Sequence, residues 1–221
     1  MSPTIALALL WVGFAGSHMG LSSLPVRSRL VAKLGEPPFL GLYSLVAFAF
    51  FIPLVWVYFA SKHAGPLLWG RPGSTLVLWL LQLGMGAAFV LVASSLVQPN
   101  PSLLGSKGGS ARGVFLLARH PLFMGIAVFA ALHLVVNGAA SDVAFFGGML
   151  AFSLVGARHQ DQRKLATNVP GYREFVAATP FLPFTGRETL RGLRELPPLG
   201  VAIGVGLTVI LRVFHSTLFG P

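Results

Sequence analysis

Six long apolar stretches constrain this chain more than any other feature. They fall at residues 4–23, 39–60, 74–97, 121–138, 142–157 and 199–214, each close to the ~20 residues a helix needs to cross a bilayer. Lipid offers backbone N–H and C=O groups no partner, so an isolated segment of this length can only satisfy them as a helix. Only 10% of the 221 residues are charged and 54% are hydrophobic, where a soluble domain carries roughly 25% charge. A soluble fold is excluded by this balance. The expected fold is all-α: a polytopic transmembrane helix bundle of about six spans, one membrane domain over residues 1–221 with no separate soluble one. Residues 142–157 and 199–214 are the shortest runs, so their ends are the least defined.

The 16 Lys and Arg against 6 Asp and Glu would suggest a nucleic-acid ligand in a soluble protein. Here the bases sit in the short connections, so topology accounts for them and no nucleic-acid partner is expected. Thirteen lie in the first, third and fifth connections, and three, Lys62, Arg71 and Arg212, lie on the other side. The positive-inside rule puts the basic side in the cytoplasm and both termini outside, and the expected location is a bacterial cytoplasmic (inner) membrane. No base precedes the first run, which reads as a retained anchor rather than a cleaved leader. Pro53 is expected to kink the second span. Gly84, Gly86, Gly147, Gly148 and Gly156 permit either close helix packing or ligand approach. Pro99, Pro101, Gly105, Gly108 and Gly109 mark a loose connection.

The absence of cysteine removes disulfides, iron–sulfur clusters, thiolate haem ligation and cysteine nucleophiles. Any metal must be held by the six histidines and a few carboxylates. His63, His159 and His215 fall at span ends, where a surface role is cheap, and His120 stands at the cytoplasmic mouth of the fourth span. His18 and His133 alone lie well inside spans. An ionisable residue at that depth reads either as a functional group or as a neutral ring bonding a neighbouring helix. His120 and His133 are 13 positions apart, about 20 Å of rise and about 140° of rotation, so one cofactor cannot take both. A second ligand for His133 must come from another helix, and His18 is the deep candidate. Two imidazoles without cysteine suit haem iron in a helix bundle. Gly125, Phe129, His133 and Asn137 share one helix face, as do Phe14, His18 and Ser22, and either face also reads as ordinary packing. His133 stands about 18 Å above the basic side and His18 about 9 Å, so the pairing needs a shifted boundary or a tilted haem.

Arg119 and His120 precede a helix start at Pro121. They present donors and a favourable dipole to an anion such as a haem propionate, phosphate or carboxylate, or else anchor the span to head groups. Asp161, beside Arg163 and Lys164, reads as a solvated ion-pair site on an interfacial helix. A lone carboxylate cannot support a two-carboxylate mechanism.

His18 followed by Leu21-Ser22-Ser23-Leu24 and by Leu40-Gly41-Leu42-Tyr43-Ser44-Leu45 resembles the opening of the NnrU family of membrane proteins. The later block of Arg119-His120-Pro121, Gly125, His133, Gly138, Gly156-Ala157, Asp161, Arg163, Gly171, Phe175 and Pro183-Phe184 resembles that family too, notably its plant ζ-carotene isomerase branch. The likeness is best over residues 5–190, and the extra C-terminal span at about 199–214 has no assigned counterpart. The resemblance implies a haem b protein with His18 and His133 as candidate axial iron ligands and Arg119, His120 and Asn137 among the cofactor-binding residues. In the plant branch the reaction is a cis–trans shift of a carotenoid double bond, and in bacteria the family is associated with denitrification through nitrite and nitric oxide reductase systems. By that likeness, reduction would free one histidine and open the iron to a polyene or a diatomic gas. Ala130 stands where the plant branch has a cysteine, so thiolate exchange is not implied.

Arg119-His120-Pro121, Met124-Gly125 and Gly171-Tyr172 leading to Pro183 are also similar to membrane methyltransferases of the isoprenylcysteine and phospholipid type, which use S-adenosylmethionine. Their paired glutamates are represented here only by Asp161 between Gln160 and Gln162, and that reading gives no use to two histidines in separate spans. A non-catalytic assembly subunit would satisfy everything that depends on hydropathy alone.

Overall fold

The computed structural model describes residues 1–100 and 111–219. Pro101, Gly105, Lys107, Gly108 and Gly109, read above as part of a loose basic connection, lie outside the described residues. Within them the fold is helical, with one isolated bridge between Leu67 and Ala139. Five helices are long and apolar enough to cross a membrane: α1 (Pro3–Ser22), α3 (Glu36–Ala60), α4 (Thr75–Val97), α7 (Ala140–Ala166) and α10 (Pro198–Phe219). The apolar α6 (Pro121–Val136) has 16 residues and is the shortest of the six. The runs expected to be shortest therefore belong to helices of 27 and 22 residues. α7 is longer because its turns beyond Ala157 are built from Arg, Gln, Lys and Leu, which favour helix once the segment has left the hydrocarbon.

Sequence punctuation explains the helix ends. Ser2 caps α1, its hydroxyl accepting from the Ile5 amide, and Ser74 does the same for α4 through Val77. Pro3, Pro121 and Pro198 each occupy a first turn, where a missing N–H costs nothing. Pro53 lies within α3, which continues through it. Short helices fill the connections: α2 (Leu24–Leu34), α5 (Val114–Leu117), α8 (Tyr172–Ala178) and α9 (Thr189–Arg194).

The residues group into two compact units whose division falls inside α6 and α7. The first comprises residues 1–72 and 133–159. α1 and α3 pack there around Leu7, Trp11, Phe14, Leu54 and Tyr58, with Phe145 and Phe146 of α7 completing the core. Trp11 lies flat against Gly148, where any side chain would strike the indole, and its Nε1–H donates to the Phe145 carbonyl at 3.0 Å. Gly148 is thus a packing glycine.

The second unit comprises residues 73–132 and 160–221. α10 lies against α4 through Gly200 and Gly204, one turn apart, and a Cβ on either would come within 2.6 Å of the Ser94 or Val90 Cα. This small-x-x-x-small contact brings two backbones together where dispersion is the main attraction. Gly125 of α6, expected on a face open to a cofactor, instead meets α4, and a Cβ there would lie 2.8 Å from the Ala88 carbonyl oxygen. Phe129 continues that contact against Phe89 at 5.9 Å. The glycine is flat because a neighbouring helix fills the space.

Candidate functional site

In the first unit, α1 carries His18 one turn beyond Phe14. The Phe14 ring stacks on the imidazole at 5.3 Å, Tyr43 of α3 lies at 4.6 Å, and Phe152 of α7 presents its edge at 5.5 Å. Three helices therefore wall one histidine with aromatic carbon. His18 Nδ1 is buried and has no hydrogen-bond partner. An unmet buried ring nitrogen is costly and seldom retained without a use. The reading of His18 as a neutral ring bonding a neighbouring helix has no support at this nitrogen.

His133 of α6 is half-buried and stacks on Phe146 of α7 at 4.5 Å and 22°. Its carbonyl accepts from the amide of Asn137, which stands just past the end of α6. Phe146 and Phe152, which touch His133 and His18 respectively, are six positions apart on α7, about 9 Å along its axis. The two histidines therefore touch α7 at different levels. A run of rings connects them: His133 to Phe146, Phe146 to Phe145 at 5.2 Å, Phe145 to Trp11 at 6.3 Å, Trp11 to Phe14 at 5.8 Å, and Phe14 to His18.

The second unit holds the other cluster. Asp161, expected to be solvated beside Arg163 and Lys164, is 8% exposed and turned toward the start of α6. Its Oδ2 accepts from the Arg119 guanidinium at 2.7 Å, and its Oδ1 accepts from His120 Nε2–H at 2.7 Å and from the Tyr172 hydroxyl. Arg119 also donates through Nε to Thr179 Oγ1, and through its other terminal nitrogen to the carbonyls of Val176 and Thr179. Every guanidinium nitrogen is engaged within the protein. The anion that Arg119 and His120 hold is this carboxylate, so a propionate or phosphate would have to displace it. The pairing of α7 and α8 with the Arg119 loop explains the burial, because an unpartnered Asp there would not stay charged. Burial, then the adjacent carboxylate, push the Tyr172 phenol well above the usual tyrosine range, with Arg119 opposing.

Of the remaining histidines, His159 is not free on the surface but hydrogen-bonded with Ser22 Oγ at 3.1 Å. His215 is exposed on α10. His63 is half exposed and paired to Asp142 at 2.8 Å. Asp142, read from sequence only as a helix boundary, is fully buried. Tyr58 and Thr179 likewise gave no signal, being polar residues whose partners lie far along the chain, and Tyr172 entered only through a motif likeness, not as a partner of Asp161. No group of three or more His, Cys, Asp or Glu able to hold a metal ion occurs among the described residues.

Residues 6–221 match the model of the family described as NnrU protein. The match runs beyond residue 190 to include α10, so the last span is part of the family pattern. No curated protein and no solved structure matches the chain.

Proposed function

The chain belongs to the NnrU family, and from that premise we propose that it is a haem-b-binding integral membrane protein whose iron is held by His18 and His133 and whose substrate is a lipid-soluble polyene undergoing cis–trans isomerisation. The observation that carries the reading is the orphaned Nδ1 of His18 inside an aromatic wall. A flat macrocycle suits such walls, because ring faces supply dispersion without demanding hydrogen bonds. When bound between His18 and His133, the group would supply a redox-active iron.

The chain's own residues set the conditions for this chemistry. Phe14 and Tyr43 fix the plane of His18, while Phe146 fixes that of His133. Phe51, Ile52, Val55, Trp56, Phe59 and Ala60 line an apolar groove of about 540 Å³ on α3. Phe51 packs on Phe14 at 5.6 Å, which in turn stacks on His18. A substrate dissolved in the bilayer thus meets an apolar groove one ring removed from the histidine wall.

The test is the visible spectrum of detergent-purified protein, oxidised and then dithionite-reduced, for the unaltered chain and for His18→Ala and His133→Ala. A Soret band with sharp reduced α and β bands, lost or made high-spin in both variants, supports two-histidine ligation. A change in His18→Ala alone removes His133 from the ligand set. A nitric oxide adduct without polyene turnover moves the role to denitrification redox chemistry. Intact folded protein from haem-supplemented cells with no Soret band overturns the haem reading; S-adenosylmethionine binding, and co-purification with a reductase as an assembly subunit, are then assayed.

A further inference from the structure

The α2 helix buries none of its 11 residues in the protein, although it touches both α1 and α3. At about 100° per residue, Val26, Leu30, Leu34, Val31 and Leu24 fall within an arc of about 160°, and Pro25, Ser28, Arg29, Ala32 and Lys33 occupy the opposite side. Leu24, Val26 and Leu34 are exposed, as are Leu40 and Leu42 where α3 begins. An apolar arc that the protein does not cover, continuous with the flank of a helix apolar enough to cross a membrane, is the arrangement of a helix lying in the interface plane.

The charges of α2 divide in the same way. It carries three bases and no acid. Arg27 falls inside the apolar arc and is satisfied within the protein, donating to Glu36 at 2.6 Å and standing over the Phe39 ring at 5.5 Å. That bond spans the turn at Gly35, whose φ of 83° bends the chain into α3, so the fold sets which way α2 faces. Arg29 and Lys33 are exposed and pair with no carboxylate among the described residues. One turn apart, they stand side by side on the edge of the apolar arc, next to Val26 and Leu30. Their aliphatic stems can lie along that edge with the charged ends at the level of lipid head groups. Two like charges at this spacing oppose the helix, and an anion held between them turns the repulsion into attraction.

We infer that α2 lies in the membrane interface with its apolar arc against the acyl boundary, and that Arg29 and Lys33 hold the phosphate of an anionic phospholipid head group between them. Two observations select this occupant. The apolar arc continues onto the exposed flank of α3, so the phosphate at its edge is carried by the lipid that covers that flank. The charge of the edge has no acid to answer it, which favours an anionic head group over a zwitterionic one whose own cation already answers its phosphate. Phe39, beneath Arg27, lies 6.1 Å from Tyr43, and Tyr43 lies 4.6 Å from His18. The head-group site thus stands at the end of the helix pair that carries this histidine, and it is argued without the haem reading.

The chain has no cysteine, so Val26→Cys carries a single bimane label at the edge of the arc. The labelled full-length protein is reconstituted in phosphatidylcholine vesicles containing either brominated phosphatidylglycerol or brominated phosphatidylcholine, and quenching by the two gives the ratio of their association constants at α2. We expect phosphatidylglycerol to be favoured by about fivefold or more, the factor that one base near an anionic surface contributes, and the ratio to fall to near one in Arg29→Gln/Lys33→Gln. Arg29→Lys keeps the charge and should keep the preference. Arg187→Gln/Arg194→Gln removes two exposed bases from the second unit and should leave the ratio unchanged. Absence of quenching by either lipid places α2 in water and overturns the inference, as does a ratio near one with Arg29 and Lys33 present. Equal losses in the two double variants also overturn it, because the preference then belongs to the basicity of the whole chain. If inorganic phosphate abolishes the ratio where chloride of equal ionic strength does not, the pair binds a soluble phosphate and the lipid assignment falls. The readout needs no haem, so its failure and that of the haem reading are distinguishable.

Discussion

Replacing Asp161 by alanine should unfold the second unit far more readily than any surface change. The carboxylate is the common acceptor of Arg119, His120 and Tyr172, and the side chains of Arg119 and Asp161 are only 12% and 11% exposed. Removal strands the His120 and Tyr172 donors, at about 1–3 kcal/mol each, although Arg119 keeps its bonds to Thr179 and Val176. The usual cost of breaking a buried pair by deleting one partner, about 3–5 kcal/mol, falls within the same range. At roughly 2–4 °C per kcal/mol for a chain of this size, the melting point in detergent should fall by about 6–20 °C. Asp161→Asn keeps one acceptor oxygen and should lose about half as much. In a double-mutant cycle, Arg119→Met with Asp161→Ala should cost clearly less than the sum of the two single changes, because neither variant of the pair then buries an unpaired charge. A shift under about 2 °C for Asp161→Ala, or strict additivity in the cycle, would refute the argument that this carboxylate is a buried anchor.

Gly204→Leu places carbon within 2.6 Å of the Val90 Cα and should lower the melting point by an amount corresponding to about 1–3 kcal/mol, whereas Gly206→Ala, where a Cβ meets nothing within 4 Å, should be neutral or stabilising; equal losses in thermal melts would contradict the close α4–α10 contact. Tyr172 has a folded-state pKa raised above its unfolded value of about 10, so its contribution to stability is complete below that pH and is lost as pH climbs beyond it. Tyr172→Phe should therefore weaken the protein by about 1 kcal/mol at neutral pH, through the lost bond to Asp161, yet flatten the decline of stability in alkali; an unchanged alkaline slope in urea titrations would count against the assignment.

Hydropathy located the apolar helices because the bilayer imposes one local rule on every apolar run, and His18 and His133 stood out because an imidazole is conspicuous within one. What the sequence hid is what depends on partners far along the chain. Asp161 reads as solvated beside Arg163 and Lys164, since nothing local announces that Arg119, 42 positions earlier, will cover it. Asp142 sits at a span edge, where a carboxylate is unremarkable, and its burial is created by the return of residues 61–72. The flatness of Gly125 was legible, but what filled it was not: spacing says that a backbone can come near, and only the fold says that α4 does.

The first unit is discontinuous in sequence, and this has a consequence for biogenesis. During synthesis at about 5–20 residues per second, residues 73–159 take roughly 4–17 s to follow Pro72. Through that interval the Trp11 indole lacks the Phe145 carbonyl, Tyr58 lacks Asp142, and the aromatic wall around His18 lacks Phe152. The nascent α1 and α3 must wait in the membrane as an incomplete pair while α4, destined for the other unit, is inserted ahead of the segment that completes them. A truncation after residue 72 is therefore not a smaller version of the unit but an unfinished one.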